Sequence, residues 1–281
     1  MREFKDRVAV VTGAASGIGR GLAERFASER MHVVLADVEA APLDAAEREM
    51  RDAGASVLAV RTDVSKAEDV QELATRSVER FGGVHIVCNN AGVGSTRLSW
   101  DESLEDWSWV LGVNLWGVIH GVRTFVPIML QGGDEGHIVN TASVAGLMPG
   151  GGAAAYTVSK FGVIGLSEAL YHELKMTSTG KIGVSVLCPA VTDTNIMDSG
   201  RNRPGGPGPA PAPGTREAFG IEMMRRLLRA GQSPTEVAQQ VFDAIVANRF
   251  YVLTHPEHNG VITKRAEAML AGDPPPAVGT Q

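Results

Sequence analysis

A chain of 281 residues, 44% hydrophobic and 21% charged, can bury a full core and has the composition of one large soluble domain. Its formal net charge of −6 excludes a broadly basic surface of the kind that binds nucleic acid or anionic membranes. No apolar run reads as the ~20 residues of a bilayer span, and the start MREFKDRVAVVTG lacks a signal-peptide layout, so a cytoplasmic protein is expected.

In chain order, short β-rich runs alternate with longer helical patterns. RVAVVT (7–12) is the first strand candidate, and it runs into Thr12-Gly13-Ala14-Ala15-Ser16-Gly17-Ile18-Gly19, after which a helix follows. Glycines in such a turn let the chain bend tightly and let a pyrophosphate approach the N–H groups of the helix start. The spacing is G-x-x-x-G-x-G, and its place at the first strand–helix junction is what makes it informative. HVVLA (32–36) is the second strand and leads to Asp37. A carboxylate there can accept both hydroxyls of an adenosine ribose and repels a 2′-phosphate. No basic residue stands at 14–16, and Val38 rather than arginine follows Asp37, which favours NAD over NADP. A helical pattern covers 42–53. SVLAVR (56–61) then leads to Asp63 and Val64, which read as an adenine contact; Asp63 reads equally as a cap for the helix over 66–81, although Ser65 is the better cap.

VHIVCN (84–89) precedes Asn90, Ala91 and Gly92. In VLGVNLWG, Asn114 sits inside a long helical pattern, where asparagine is a poor interior residue and wants a reason. GHIVNTA (136–142) delivers Ser143 just past its end. Tyr156 and Lys160 follow, four apart in a helical pattern, so both leave one face. IGVSVLC (182–188) and FYVLT (250–254) bring the count to about seven strands. This alternation implies βαβ units and a parallel sheet covered on both faces. Residues 201–215 are almost all Pro and Gly and are expected to be irregular and mobile. Residues 216–229 read as a helix, and Ser233-Pro234-Thr235-Glu236 reads as a capping box opening another. The chain divides into one domain, 1–263, with an insert at about 199–215, and a partly disordered tail, 264–281. The two cysteines, Cys88 and Cys188, each close an apolar run and read as buried free thiols. His32, His85 and His137 open strands, and no metal site is expected.

A free tyrosine titrates near ~10 and is a poor acid or base at neutral pH. Bringing Tyr156 toward neutrality takes about three units, roughly 4 kcal/mol, and an ammonium one helical turn away can supply it in a poorly solvated site. Ser143 can hold a substrate oxygen as its charge changes, and no His–Asp pattern makes it a nucleophile. Taken singly, each residue has an ordinary explanation: a helix-face pair, a strand-end hydroxyl, a buried amide. Together behind a glycine turn they point to catalysis.

These residues stand in the order and spacing of one family. Over roughly residues 6–250 the sequence resembles the short-chain dehydrogenases/reductases, in TGAASGIG (12–19), NNAG (89–92), Asn114, Ser143, Tyr156-x-x-x-Lys160 and 189–194. The resemblance implies a single Rossmann-type doubly wound α/β domain, usually a homodimer or homotetramer, that moves hydride between a nicotinamide and an alcohol or ketone. It implies a catalytic set of Asn114, Ser143, Tyr156 and Lys160. Tyr156 would be the general acid/base, Lys160 would also hold the nicotinamide ribose, and Asn114 would place a water that lets the proton out. The implied dinucleotide site is Gly13, Ser16, Gly17, Ile18, Gly19, Asp37, Asp63, Val64, Asn90, Ala91, Gly92, Pro189 and Thr194, besides Tyr156 and Lys160. The chain departs from the family after the sixth strand, with Pro189-Ala190 for Pro-Gly and Thr192 for a frequent valine.

Gly94, Val144, Leu147, Met148, Ala190, Ile196 and Met197 are expected to wall a substrate pocket, with the proline-rich insert where the family carries its lid. No Arg or Lys stands at the positions nearest the chemistry, so the expected substrate is an apolar secondary alcohol or ketone rather than a carboxylate or phosphate. An NADP-dependent ketone reductase and a non-catalytic dinucleotide sensor are the alternatives. The second could afford to lose Tyr156 or Lys160, and this chain has both.

Overall fold

The computed structural model describes residues 1–177, 180–207, 212 and 214–276. Seven strands form one sheet: β1 Val8–Thr12, β2 His32–Asp37, β3 Val57–Arg61, β4 Ile86–Asn89, β5 Gly136–Thr141, β6 Ile182–Cys188 and β7 Tyr251–Leu253. Their spatial order is β3-β2-β1-β4-β5-β6-β7, and every pairing is parallel. The chain lays down β1, β2 and β3 in one direction and then restarts beside β1 with β4, Val10 lying between Val34 and Val87. That reversal opens a crevice beyond the carboxyl ends of β1 and β4, where doubly wound sheets bind ligands.

Parallel strands are covered on both faces, so they read as continuous apolar runs rather than alternating ones. VAVVT of β1 is buried at all positions, as is every residue of β5. Polar residues in such strands need internal partners. Asn89 Nδ2 donates to Asn140 Oδ1 at 2.9 Å, and Asn140 Nδ2 donates to Ser167 Oγ at 3.0 Å.

Helices α1 Gly17–Ser28, α2 Ala40–Asp52 and α8 Pro234–Ala247 cover one face, burying Leu22, Phe26, Leu43, Val241 and Ile245 against alternate residues of β1 and β2. Helices α3 Ala67–Phe81, α4 Leu104–Leu111, α5 Gly117–Gly132 and α6 Ala154–Thr177 cover the other. Helices α7 Arg216–Arg229 and α9 Asn259–Ala271 stand further out. The capping box of α8 forms as expected: Glu236 N–H donates to Ser233 Oγ at 3.2 Å, and Ser233 N–H donates back to Glu236 Oε2 at 2.7 Å.

Local readings change in four places. Residues 201–202 end a 3₁₀ helix, Ile196–Asn202, so the proline-rich stretch begins in regular structure; its positions 208–211 and 213 lie outside the described residues. α9 runs unbroken across position 263, since its TKRAEAML segment is rich in good helix formers. The expected disorder at the end lies, from 277 on, outside the described residues. Neither Asp63 nor Ser65 caps α3: Asp63 Oδ1 accepts from Ser65 N–H at 3.1 Å and Ser65 Oγ at 2.6 Å, and Lys66 is the N-cap residue. Finally, the continuous helix Leu104–Gly132 reaches the length and apolarity of a membrane span, with mean hydropathy 1.3 in its most apolar window. Here it lies against α3 and α6, with Val110, Val118, Phe125 and Met129 buried.

Candidate active site

The turn after β1 is shaped by backbone geometry. Gly13 and Gly17 have φ of +68° and +53°, which side-chain-bearing residues rarely adopt. A Cβ on Gly19 would stand 2.7 Å from Asn90 Nδ2 and run into the Gly13 carbonyl. Ser16 caps α1 without a side-chain bond, and the first turn carries no acidic residue. The N–H end of α1 and its positive dipole therefore face the crevice with no acidic side chain of the helix's own first turn against them. Thr12 ties this turn to the segment after β4: its Oγ1 accepts from Asn90 N–H at 2.9 Å and Ala91 N–H at 3.0 Å, while Asn90 Nδ2 donates to Thr12 O at 2.9 Å.

Asp37 stands at the end of β2. Its Oδ2 accepts from Ala15 N–H at 3.1 Å and its Oδ1 from Glu39 N–H at 3.0 Å. Burial raises its pKa, and these N–H bonds oppose the rise. Asp37, Asp63 and Val64 line one cleft of about 240 Å³ together with Gly13, Ser16, Gly17, Ile18, Asn90, Ala91 and Gly92. The glycine cradle, the helix N-terminus and the Asp37 carboxylate fit a dinucleotide.

Tyr156, Lys160, Pro189 and Thr194 line the other end of the same cleft. Lys160 is buried and its Nζ donates to Thr141 O at 2.9 Å, 5.5 Å from the centre of the Tyr156 ring. Burial lowers its pKa to about 8. Asn114 lies in a π-helical stretch, Gly112–Trp116, between α4 and α5. The widened turn accommodates a buried amide that an ordinary helix would carry poorly. Its Oδ1 accepts from Val93 N–H at 2.8 Å, and its Nδ2 donates to Val93 O at 2.9 Å and Ser159 Oγ at 3.2 Å. A Cβ on Gly92 would lie 3.5 Å from Asn114 Oδ1 and 3.6 Å from Lys160 Nζ, so both groups border the space beside that glycine. Ser143 is buried beside them; its Oγ accepts from Ala145 N–H at 3.2 Å and donates to Pro189 O at 3.4 Å.

Tyr156 has its pKa raised, chiefly by burial, against a hydrogen bond with Ser143 that lowers it. The Lys160 ammonium lies over the Tyr156 ring, 5.5 Å from its centre, while Nζ donates to the Thr141 carbonyl.

The substrate side is also redrawn. Ile196 lines the cleft; Gly94 and Met197 line an adjoining cavity of about 370 Å³. Val144, Leu147, Met148 and Ala190 line neither. The 3₁₀ turn Val144–Gly146 folds this segment back on α6, which packs Leu147 beside Val163 and Ile164 and buries Met148. Trp109 borders both cavities, and Arg97, Arg203 and Arg225 line the second; Arg203 is paired with Asp106, and Arg225 with Asp198. Sequence reasoning missed Thr12, although it stands in the glycine motif. It also missed Glu39 and Arg201, which form an ion pair in the cleft and lie 162 positions apart, with no local signal.

A cleft at the switch point of a doubly wound sheet, lined by a glycine turn, an acid after the second strand, a tyrosine and a lysine, is that of a nucleotide-dependent oxidoreductase. Residues 7–204 match the family model described as short chain dehydrogenase. The chain belongs to the short-chain dehydrogenase/reductase family, oxidoreductases acting on hydroxyl or ketone groups. It is 44% identical to a short-chain dehydrogenase/reductase of Burkholderia phymatum crystallised in complex with NAD, with a TM-score of 0.95 and 100% of each chain covered. It is 32% identical to a CLA biosynthesis dehydrogenase/reductase of Lactiplantibacillus plantarum, over 98% of this chain and 97% of that one. It is 36% identical to a 1-deoxy-11-beta-hydroxypentalenate dehydrogenase of Streptomyces avermitilis, over 89% of this chain and 84% of the relative.

Proposed function

We propose that the chain is an NAD-dependent dehydrogenase of apolar secondary alcohols, or the reductase of the matching ketones, with Tyr156 as the general acid/base. The observation that carries this reading is the convergence of Tyr156 and Lys160 from α6 in one cleft with Asp37 and the glycine turn, with Asn114 of the π turn buried next to Gly92 of its wall. When bound, the nicotinamide accepts or supplies the hydride. Ser143 holds the substrate oxygen, and Tyr156 takes or returns its proton. Lys160, with its pKa near about 8, can carry charge or release it close to neutrality, and its charged form stabilises a phenolate. Asn114, which like Lys160 borders the space beside Gly92, is the proposed anchor of the proton's way out.

NAD rather than NADP is supported by the Asp37 carboxylate and by the NAD complex of the Burkholderia relative. An apolar substrate is supported by Val93, Trp109, Val113 and Ile196 in the cleft wall. The test is Tyr156→Phe. The variant should bind NADH, followed by its fluorescence, as the parent does, while turnover falls by about 10²- to 10⁴-fold. Retention of most of the activity would overturn the role given to Tyr156.

A further inference from the structure

Two charged residues of the cleft play no part in proton transfer. Arg201, near the end of the 3₁₀ helix Ile196–Asn202, forms a two-pronged ion pair with Glu39: Nε to Oε1 at 2.8 Å and Nη2 to Oε2 at 2.6 Å. Its remaining nitrogen, Nη1, donates to Asp198 O at 2.9 Å. Glu39 follows Asp37 by two positions, and its N–H donates to Asp37 Oδ1 at 3.0 Å. Asp37, Val38, Glu39, Arg201 and Asn202 line the same cleft. A guanidinium therefore stands at the end of the cleft where the ribose-binding carboxylate lies.

A guanidinium fork that matches a carboxylate also matches a phosphate. An arginine at this place would ordinarily welcome a 2′-phosphate, but here both prongs are filled by Glu39. We propose that Glu39 is a cofactor-selecting residue that acts through Arg201: it occupies the fork that would otherwise take a 2′-phosphate, and so keeps the site selective for the unphosphorylated dinucleotide. The proposal rests on the NAD reading above. The Nη1 bond to Asp198 O does not involve Glu39, so Arg201 retains an anchor when the ion pair is removed.

The test uses the full chain and two probes that differ only by the 2′-phosphate, 5′-AMP and adenosine 2′,5′-bisphosphate, titrated calorimetrically without substrate. In Glu39→Gln the affinity for the bisphosphate should rise about tenfold, while that for 5′-AMP stays within about threefold. Asp37 remains and limits the gain. In the double variant Glu39→Gln, Arg201→Gln the gain should disappear. No gain in the single variant overturns the proposal. A gain that survives in the double variant also overturns it, because loss of the Glu39 charge alone would then explain the effect. If the parent chain binds the bisphosphate as tightly as 5′-AMP, the NAD reading fails on its own, and the role of Arg201 is still judged by the difference between the two variants.

Discussion

Replacing Asn114 by leucine should cost about 3 kcal/mol of stability, worked as follows from its surroundings. The side chain is fully buried and satisfies both the N–H and the C=O of Val93, itself buried. Leucine removes both partners at once. Each buried backbone group left unpaired costs about 1–3 kcal/mol, so the two together cost about 4 kcal/mol. Burying an apolar side chain in place of the amide returns about 1 kcal/mol. The Ser159 contact adds little, because Ser159 Oγ keeps its own bond to Tyr156 O at 2.6 Å. Urea unfolding at neutral pH measures the difference, provided the slope is unchanged. A loss below about 0.5 kcal/mol would refute the reasoning, since it would mean that Val93 finds other partners once the amide is gone.

Gly19→Ala tests the turn: its Cβ meets Asn90 Nδ2 at 2.7 Å and the Gly13 carbonyl, so the turn must shift, at a cost of about 1–3 kcal/mol. Affinity for 5′-AMP should fall at least about tenfold, and unchanged affinity would show that the turn is not the phosphate site. Acid should destabilise the fold through its histidines. His137 is held by burial at about 3 against an ordinary 6.5, and His85 is also lowered, chiefly by burial. Below 6.5 the unfolded chain therefore binds more protons than the folded one, so this stability is full above 6.5 and is lost as the pH falls toward the folded values. For His137 alone the loss between pH 6.5 and 5 is about 2 kcal/mol. A urea midpoint that stays flat from pH 7 to 5 would contradict it.

Much of this protein was legible in its sequence because the deciding constraints are local. IGVSVLC (182–188) became β6 with the same ends, and Ser233 to Glu236 formed the capping box, since each depends on neighbours within one turn or strand. The glycine turn was legible for the same reason: positive φ at Gly13 and Gly17 excludes most side chains whatever surrounds them. Asn114 stood out as misplaced in a helix, and the π stretch explains why it is tolerated. Other features were decided by which distant segments the sheet order brings together. Whether Leu147 faces a substrate or the core depended on the 3₁₀ turn folding back on α6. The pKa of Tyr156 depended on burial and on the hydrogen bond with Ser143, both set by the fold. Glu39 and Arg201 each look like an ordinary surface charge along the chain. Only the fold makes them a pair, because their bond joins the loop after β2 to the helix after β6 across the same crevice, and side-chain partnership at that separation leaves no periodic trace in the sequence.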